Sequence, residues 1–420
     1  MNYLTSKKTI IISIISLTVL GILGIWLSGK YTGEGVKNVD QFSFFGNSGE
    51  EGGGLTGGKG GNGQATGGTS GGASESALPE LRKISSSPTA GVYVFNKIVQ
   101  REDKSKFNAV FLRRVDKATG NVYETRLDNM EETRVTNTTI PKIYEALWGN
   151  NENSLLLRYL RDDGETIETF TSKVIEGADG KEGSLLGTFL PSDIKSVAVS
   201  PKKDKIFYLN VVSGEAQGTV MDTVLGKKGI VFRYLFTEWL PDWPADNIIT
   251  LVTKPSGKTS GFMYSINSIG GNMTKILGDI RGLTALMSPN GKKVLYSESA
   301  GNSFALNLYD VGSAETTSQS ARTLSDKCVW SADNDVFYCA VPLNPPQALY
   351  PDGWYQGLVS FSDVLVRIDA GVGSMTVLVD PKEFAGEEID AVNLALSKDE
   401  NYLFFINKKD GAPWALEMGI

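Results

Sequence analysis

One pattern recurs along this chain at nearly constant spacing, and it limits the possible folds more than any other feature. An aromatic or apolar residue is followed by Ser-Pro or an equivalent, then a polar turn, then an apolar run. It reads MSPNGKKVLY from Met287, VSPKKDKIFYL from Val199 and WSADNDVFY from Trp330. Further copies are WPADNIITL from Trp243, WGNNENSLLL from Trp148 and LSKDENYLFFI from Leu396, with a degenerate SSPTAGVYVF from Ser86. The seven anchors lie 62, 51, 44, 44, 43 and 66 residues apart. Self-similarity at that period belongs to repeat architectures, in which each unit buries its apolar faces against its neighbours.

Each copy reads as a four-stranded antiparallel unit. Asn, Asp and Gly in the polar turns tolerate positive φ, the chemistry of a hairpin. The run after each turn is apolar throughout, as in Ile206–Leu209 and Leu403–Ile406, so that strand is expected to be covered on both faces. The third strand is expected to alternate, with Leu306 and Leu308 or Val364, Val366 and Ile368 on one side. A short fourth stretch such as Thr274–Leu277 or Ala321–Leu324 follows. The seventh copy reaches Ile420 just after its third strand, and Leu81-Arg82-Lys83-Ile84 resembles the fourth strands elsewhere. If that stretch completes the last sheet, the ring has no open edge. The fold expected is therefore all-β, a seven-bladed β-propeller over residues 78–420 at about 49 residues per blade.

The copy Ser-Pro-Asn-Gly-Lys-Lys-Val-Leu-Tyr from Ser288 resembles the WD-like repeat of TolB-type β-propellers, whose signature is W-S-P-D-G-K-x-I-x-F. The resemblance spans about 330 residues, in six good copies and one poor one. It implies an extracytoplasmic propeller that binds other proteins or envelope components. The chain departs from that family in lacking its usual N-terminal domain and in carrying a glycine-rich stalk.

Ahead of the repeats, Thr9–Leu27 is nineteen residues without a charge. As a helix it would span roughly 28 Å, close to a bilayer's hydrocarbon thickness. Lys7 and Lys8 precede it, which favours a cytoplasmic N-terminus under the positive-inside rule. Residues 1–30 are thus expected to be a cytoplasmic stub and single-pass signal-anchor; a cleaved signal peptide is the competing reading. Residues 31–77 form a linker in which fourteen of the 27 residues from Gly46 to Gly72 are glycine. Such a composition buries too little apolar surface to offset its ordering entropy. The expected location is the cell membrane, with the propeller outside the cytoplasm.

Composition excludes several function classes. A formal charge of −7 from 41 basic and 48 acidic residues argues against a nucleic-acid partner. With no histidine in 420 residues, Ser-His-Asp and Cys-His nucleophile systems and His-ligated metals are excluded. Asp162, Asp163 and Glu165 read as a solvated acidic loop tip, with weak Ca²⁺ binding as the alternative, and Asp333, Asp335 and Asp399, which lack calcium-loop spacing, read as turn formers. Ser256-Gly257-Lys258-Thr259 lacks the earlier glycine of a phosphate loop, since that position is Val252. No cofactor, metal or catalytic residue is expected.

Three places remain as candidates. The loops between second and third strands vary most, and these are expected to include Gln100–Lys104, Arg161–Glu165 and the long Val341–Ser360 segment. In the last, Tyr350, Trp354 and Tyr355 are candidate partner-binding residues, because aromatics anchor protein interfaces; folding back to cap the central channel is the alternative. Trp148, Trp243 and Trp330 recur at one repeat position and are expected to pack between blades. Cys328 and Cys339 flank one turn and are expected to oppose each other, either as a disulfide or as two small buried hydrophobes. The function expected is a protein-binding or scaffolding module of the cell envelope, not an enzyme. The alternatives are a hydrolase or lyase with carboxylates at the channel mouth, or a structural surface-layer component.

Overall fold

The structure, a computed structural model, describes residues 80–178, 181–223 and 225–419. Its strands form seven four-stranded antiparallel sheets. Six are consecutive in sequence and arranged as blades around a common axis: 89–134, 143–189, 196–234, 239–281, 284–318 and 328–379. The seventh takes Ala391–Leu396, Tyr402–Asn407 and Pro413–Glu417 from the end of the described chain and Leu81–Lys83 from its beginning. Leu81 pairs with Leu416, Arg82 with Ala415 and Lys83 with Trp414, so the expected latch is present. Arg82 secures it further, donating to the Leu127 carbonyl of blade one at 2.8 Å and to the Glu417 carboxylate of blade seven.

The repeat motif has a local physical cause. In four blades the serine after the anchor accepts the backbone N–H five residues on: Lys205 to Ser200 at 3.0 Å, Lys293 to Ser288 at 3.0 Å, Val336 to Ser331 at 3.2 Å and Tyr402 to Ser397 at 3.0 Å. The residue three past each serine has positive φ: Lys203, Gly291, Asn334 and Glu400. Only Gly291 adopts that conformation at no steric cost. Seven clusters of buried apolar side chains lie between adjacent blades among the described residues. Trp148, Trp243 and Trp330 are buried in three of them, as packing residues.

Three strand expectations need correction. The Ser86 copy is out of register with the others. In blade one the innermost strand is Thr89–Gln100, and the turn to its second strand, Lys106–Asp116, holds 101–105. The stretch Gln100–Lys104 therefore joins first and second strands rather than second and third. A Ser-Pro pair also suits the link into an innermost strand, where Gly91 lies so close to blade two that a Cβ would sit 2.0 Å from the Ala146 carbonyl oxygen. The third strands do not simply alternate. Val364, Val366 and Ile368 face blade five, while Leu365 between them is buried against blade seven. The outer strand of blade five is Thr316–Ser318, and Ala321–Leu324 is a connection in which Ala321, Thr323 and Leu324 are buried.

The expected anchor Thr9–Leu27 and the glycine-rich linker lie outside the described residues. Among the described residues, no helix is long and apolar enough to cross a membrane.

Candidate functional site

The segment between the second and third strands of blade six, 343–362, folds back over the ring. Asp352 opens a one-turn helix, Asp352–Tyr355. Its carboxylate accepts from Ser256 Oγ at 2.8 Å and from the Gly257 amide at 2.7 Å, both in blade four. Ser299 of blade five donates to the Tyr350 carbonyl, and Lys408 of blade seven donates to the Trp354 carbonyl. Tyr350, Trp354 and Phe361 form one apolar cluster with Phe304, Leu324, Val392 and Ile406. Tyr350 and Trp354 have relative exposures of 0% and 1%, so neither presents surface to a partner. Both side chains are buried within the fold. Tyr355 is half-buried and donates its hydroxyl to the Asp326 carboxylate.

Beneath this loop lies a charge cluster with no solvent exposure. Lys327 Nζ is 2.8 Å from Asp363 Oδ2 and 2.6 Å from Asp390 Oδ1, and all three side chains are 0% exposed. Its third acceptor is the Ala391 carbonyl at 2.8 Å. Asp390 is the better hydrogen-bonded carboxylate: it also accepts from Trp354 Nε1 at 3.0 Å, Ser360 Oγ at 3.1 Å and the Phe361 amide at 3.0 Å. Asp363 Oδ2 accepts the Ala391 amide at 2.7 Å, but Asp363 Oδ1 has no hydrogen-bond partner.

These surroundings move the ionisations apart. Burial pushes Asp363 up to about 6, the neighbouring Asp390 charge adding and Lys327 opposing. For Asp390, burial is overcome by Lys327 and by the hydrogen bonds, and its carboxyl falls below the usual range. Burial likewise opposes the Lys327 charge, but attraction to Asp363 and Asp390 outweighs it and raises its pKa. Lys408, above the Trp354 ring at 4.1 Å, is lowered to about 8, chiefly by burial. Asp326 is raised to about 6 by burial, which outweighs its bond from Tyr355 and the Lys327 charge.

Two carboxylates thus converge, as a carboxylate-based enzyme would require, but they converge on a buried lysine and meet no solvent. Sequence reasoning did not single out Lys327, Asp363 or Asp390. Their available signal was position: each charged residue borders an apolar run, as in Lys327-Cys-Val-Trp, Asp363-Val-Leu-Val and Asp390-Ala-Val. Cys328 and Cys339 are register partners, and the structure joins them as a disulfide. Asp163 accepts the Glu165 and Thr166 amides at 3.0 and 2.9 Å, which makes it a turn former. Among the described residues, no group of three or more metal-ligating side chains is present.

A different surface lies at the end of blade three. Val211 pairs with Ala216, which pairs with Tyr234, so the ends of three strands meet there. Val211, Val212, Tyr234, Leu235 and Phe236 are exposed by 42, 41, 47, 78 and 41%. Beneath them Trp239 is buried, its indole N–H donating to the Phe236 carbonyl at 2.7 Å. The rings of Tyr234 and Phe236 stand edge-on to Trp239, with centroids 5.9 and 4.9 Å away. The rim is thus an ordered apolar shelf rather than a loose loop.

No protein-family model matches the chain, and no curated protein does. Solved structures do resemble it. An oligogalacturonate lyase in complex with manganese is 10% identical, with a TM-score of 0.51, covering 79% of this chain and 98% of the other. An oligogalacturonate lyase from Vibrio parahaemolyticus is 9% identical, with a TM-score of 0.49, covering 78 and 98%. TolB from Acinetobacter baumannii is 13% identical, with a TM-score of 0.40, covering 77 and 79%. The manganese-bound lyase corrects the expectation that the chain is not an enzyme. That expectation rested on a ring without a recognisable catalytic constellation, and an enzyme named as a lyase has this same fold. At 9–10% identity the likeness shows the fold alone, so the exclusion falls and no activity passes to this chain. The chain is a seven-bladed β-propeller of four-stranded antiparallel blades, and TolB is among the propellers similar to it.

Proposed function

We propose that this chain is a membrane-anchored, extracytoplasmic propeller that binds another protein of the cell envelope through the apolar rim of blade three. The observation that carries the reading is the rim itself: five exposed apolar side chains, two of them aromatic, seated on a buried tryptophan. Ordered aromatic surface of that kind loses little entropy on binding and is enriched where proteins meet. The uncharged Thr9–Leu27 segment supports the anchor, and the glycine-rich stretch supports a tether that keeps the propeller concentrated near envelope partners. Opposed cysteines support an oxidising compartment.

A photo-crosslinking residue placed at position 235 of the full chain, in its own membranes, tests the reading. A discrete protein adduct is expected, lost when Tyr234 and Phe236 are both changed to Asp. The absence of any adduct at 235, with an intact propeller, would overturn the reading.

A further inference from the structure

We infer that Lys327 and Asp363 close an isopeptide bond inside blade six, with Asp390 as base and proton carrier. The reacting groups are already in contact, Nζ to Oδ2 at 2.8 Å, and neither side chain is exposed. The rings of Trp354 and Phe361 flank the nitrogen, their centroids 5.1 and 5.2 Å away. An amine held against a carboxyl group in a dry pocket has the proximity of an intramolecular reaction. Exclusion of water also protects the product from hydrolysis.

The two carboxyl groups are not equivalent, and their partners assign the roles. Asp390 accepts from Lys327, Trp354, Ser360 and the Phe361 amide, an environment that favours the carboxylate. Asp363 has one oxygen polarised by Lys327 and the Ala391 amide, while its other oxygen has no partner. That second oxygen is the one free to leave. The raised pKa of Asp363, near 6, and the depressed one of Asp390 agree with a neutral acid as electrophile beside an ionised base.

The step balances without oxidant or reductant. Asp390 takes one proton from the Lys327 ammonium, and the free amine attacks Cγ of Asp363. As the C–N bond forms, a second proton leaves nitrogen through Asp390 and reaches the departing hydroxyl. The Cγ–O bond breaks, one water leaves, and Asp390 retains one proton. The cluster is neutral before and after. The bond would tie the start of the innermost strand, Cys328–Trp330, to the start of the third, Asp363–Asp369. Together with Cys328–Cys339 it would hold the base of the 343–362 loop on both sides.

Trypsin gives a direct test, because no Lys or Arg lies between Lys327 and Arg367. The full-length protein is reduced, alkylated, denatured and digested. The expected product is residues 323–367 as one uncut peptide, lighter than its sequence by one water. Release of 323–327 as a free peptide, with 328–367 at full mass, would overturn the inference and leave a buried ion cluster only. In Asp390→Asn the uncut peptide should be lost and cleavage at Lys327 restored; its persistence would remove Asp390 from the step. Should that variant fail to fold, the map of the native chain decides alone.

Discussion

Two aromatic-rich segments at the same end of the propeller have opposite fates. In 343–362, Tyr350 and Trp354 are buried, whereas in the link from blade three to blade four, Tyr234, Leu235 and Phe236 stand exposed. Composition does not separate them; length and polar anchorage do. The blade-six segment is long enough to reach blades four, five and seven, and Asp352, Asp390 and Ser299 fix it there by hydrogen bonds. The blade-three link runs only from Tyr234 to Trp239, between the ends of two strands. It cannot fold back, so its side chains remain at the rim. A loop's aromatic content therefore does not decide whether its side chains are buried by the chain or left at the surface.

Substitutions sharpen that contrast. The largest effect is expected for Asp390→Ala, which leaves Trp354 Nε1, Ser360 and the Phe361 amide without their acceptor and Lys327 without its closest carboxylate. The expected cost is about 3–5 kcal/mol, read from the urea unfolding midpoint; a cost under about 1 kcal/mol would show that water reaches the cluster. Trp354→Ala should follow at about 3–4 kcal/mol, with new protease cleavage confined to 343–362. Phe236→Ala is its counterpart at the rim and should cost much less, about 1 kcal/mol, because the ring is already partly in water. Equal costs at the two aromatics would break the comparison.

Gly291→Ala is expected to cost about 1–2 kcal/mol. Its φ is +71°, and a Cβ there would meet Ile248 Cδ1 at 2.5 Å. A neutral result would mean that the turn relaxes.

The smallest effect is a pH dependence at Asp326. Its folded pKa, about 6, lies above its ordinary value of 3.8. The folded state therefore binds the proton more tightly, and the stabilisation is fully present below the ordinary value. It is lost as pH rises through about 6. Stability should thus fall between about pH 4 and 6 more steeply in the native protein than in Asp326→Asn. Parallel profiles would place Asp326 in ordinary contact with water.

The ring was legible because its causes are local and repeated. The serine that accepts an N–H five residues on, and the positive-φ position within the turn, recur in sequence at the spacing of the blades. The latch was legible because an edge strand must be covered, and Leu81–Ile84 had the pattern to cover it. The opposition of Cys328 and Cys339 followed from hairpin register alone. Blade one misled because Ser-Pro suits the entrance to an innermost strand as well as a turn. The charge cluster was illegible for a different reason. Lys327 and Asp390 are 63 residues apart and belong to different blades, and only the folded ring with its loop laid across it brings them together. Burial of Tyr350 and Trp354 depends on the same tertiary contacts.

Hydroxyl-radical footprinting of the full-length protein measures the contrast most directly, because it reports side-chain exposure residue by residue. Tyr234 and Phe236 should be oxidised rapidly, while Tyr350 and Trp354 stay protected until the protein unfolds. Oxidation of Trp354 at a rate comparable to that of Phe236 in the native state would contradict the account.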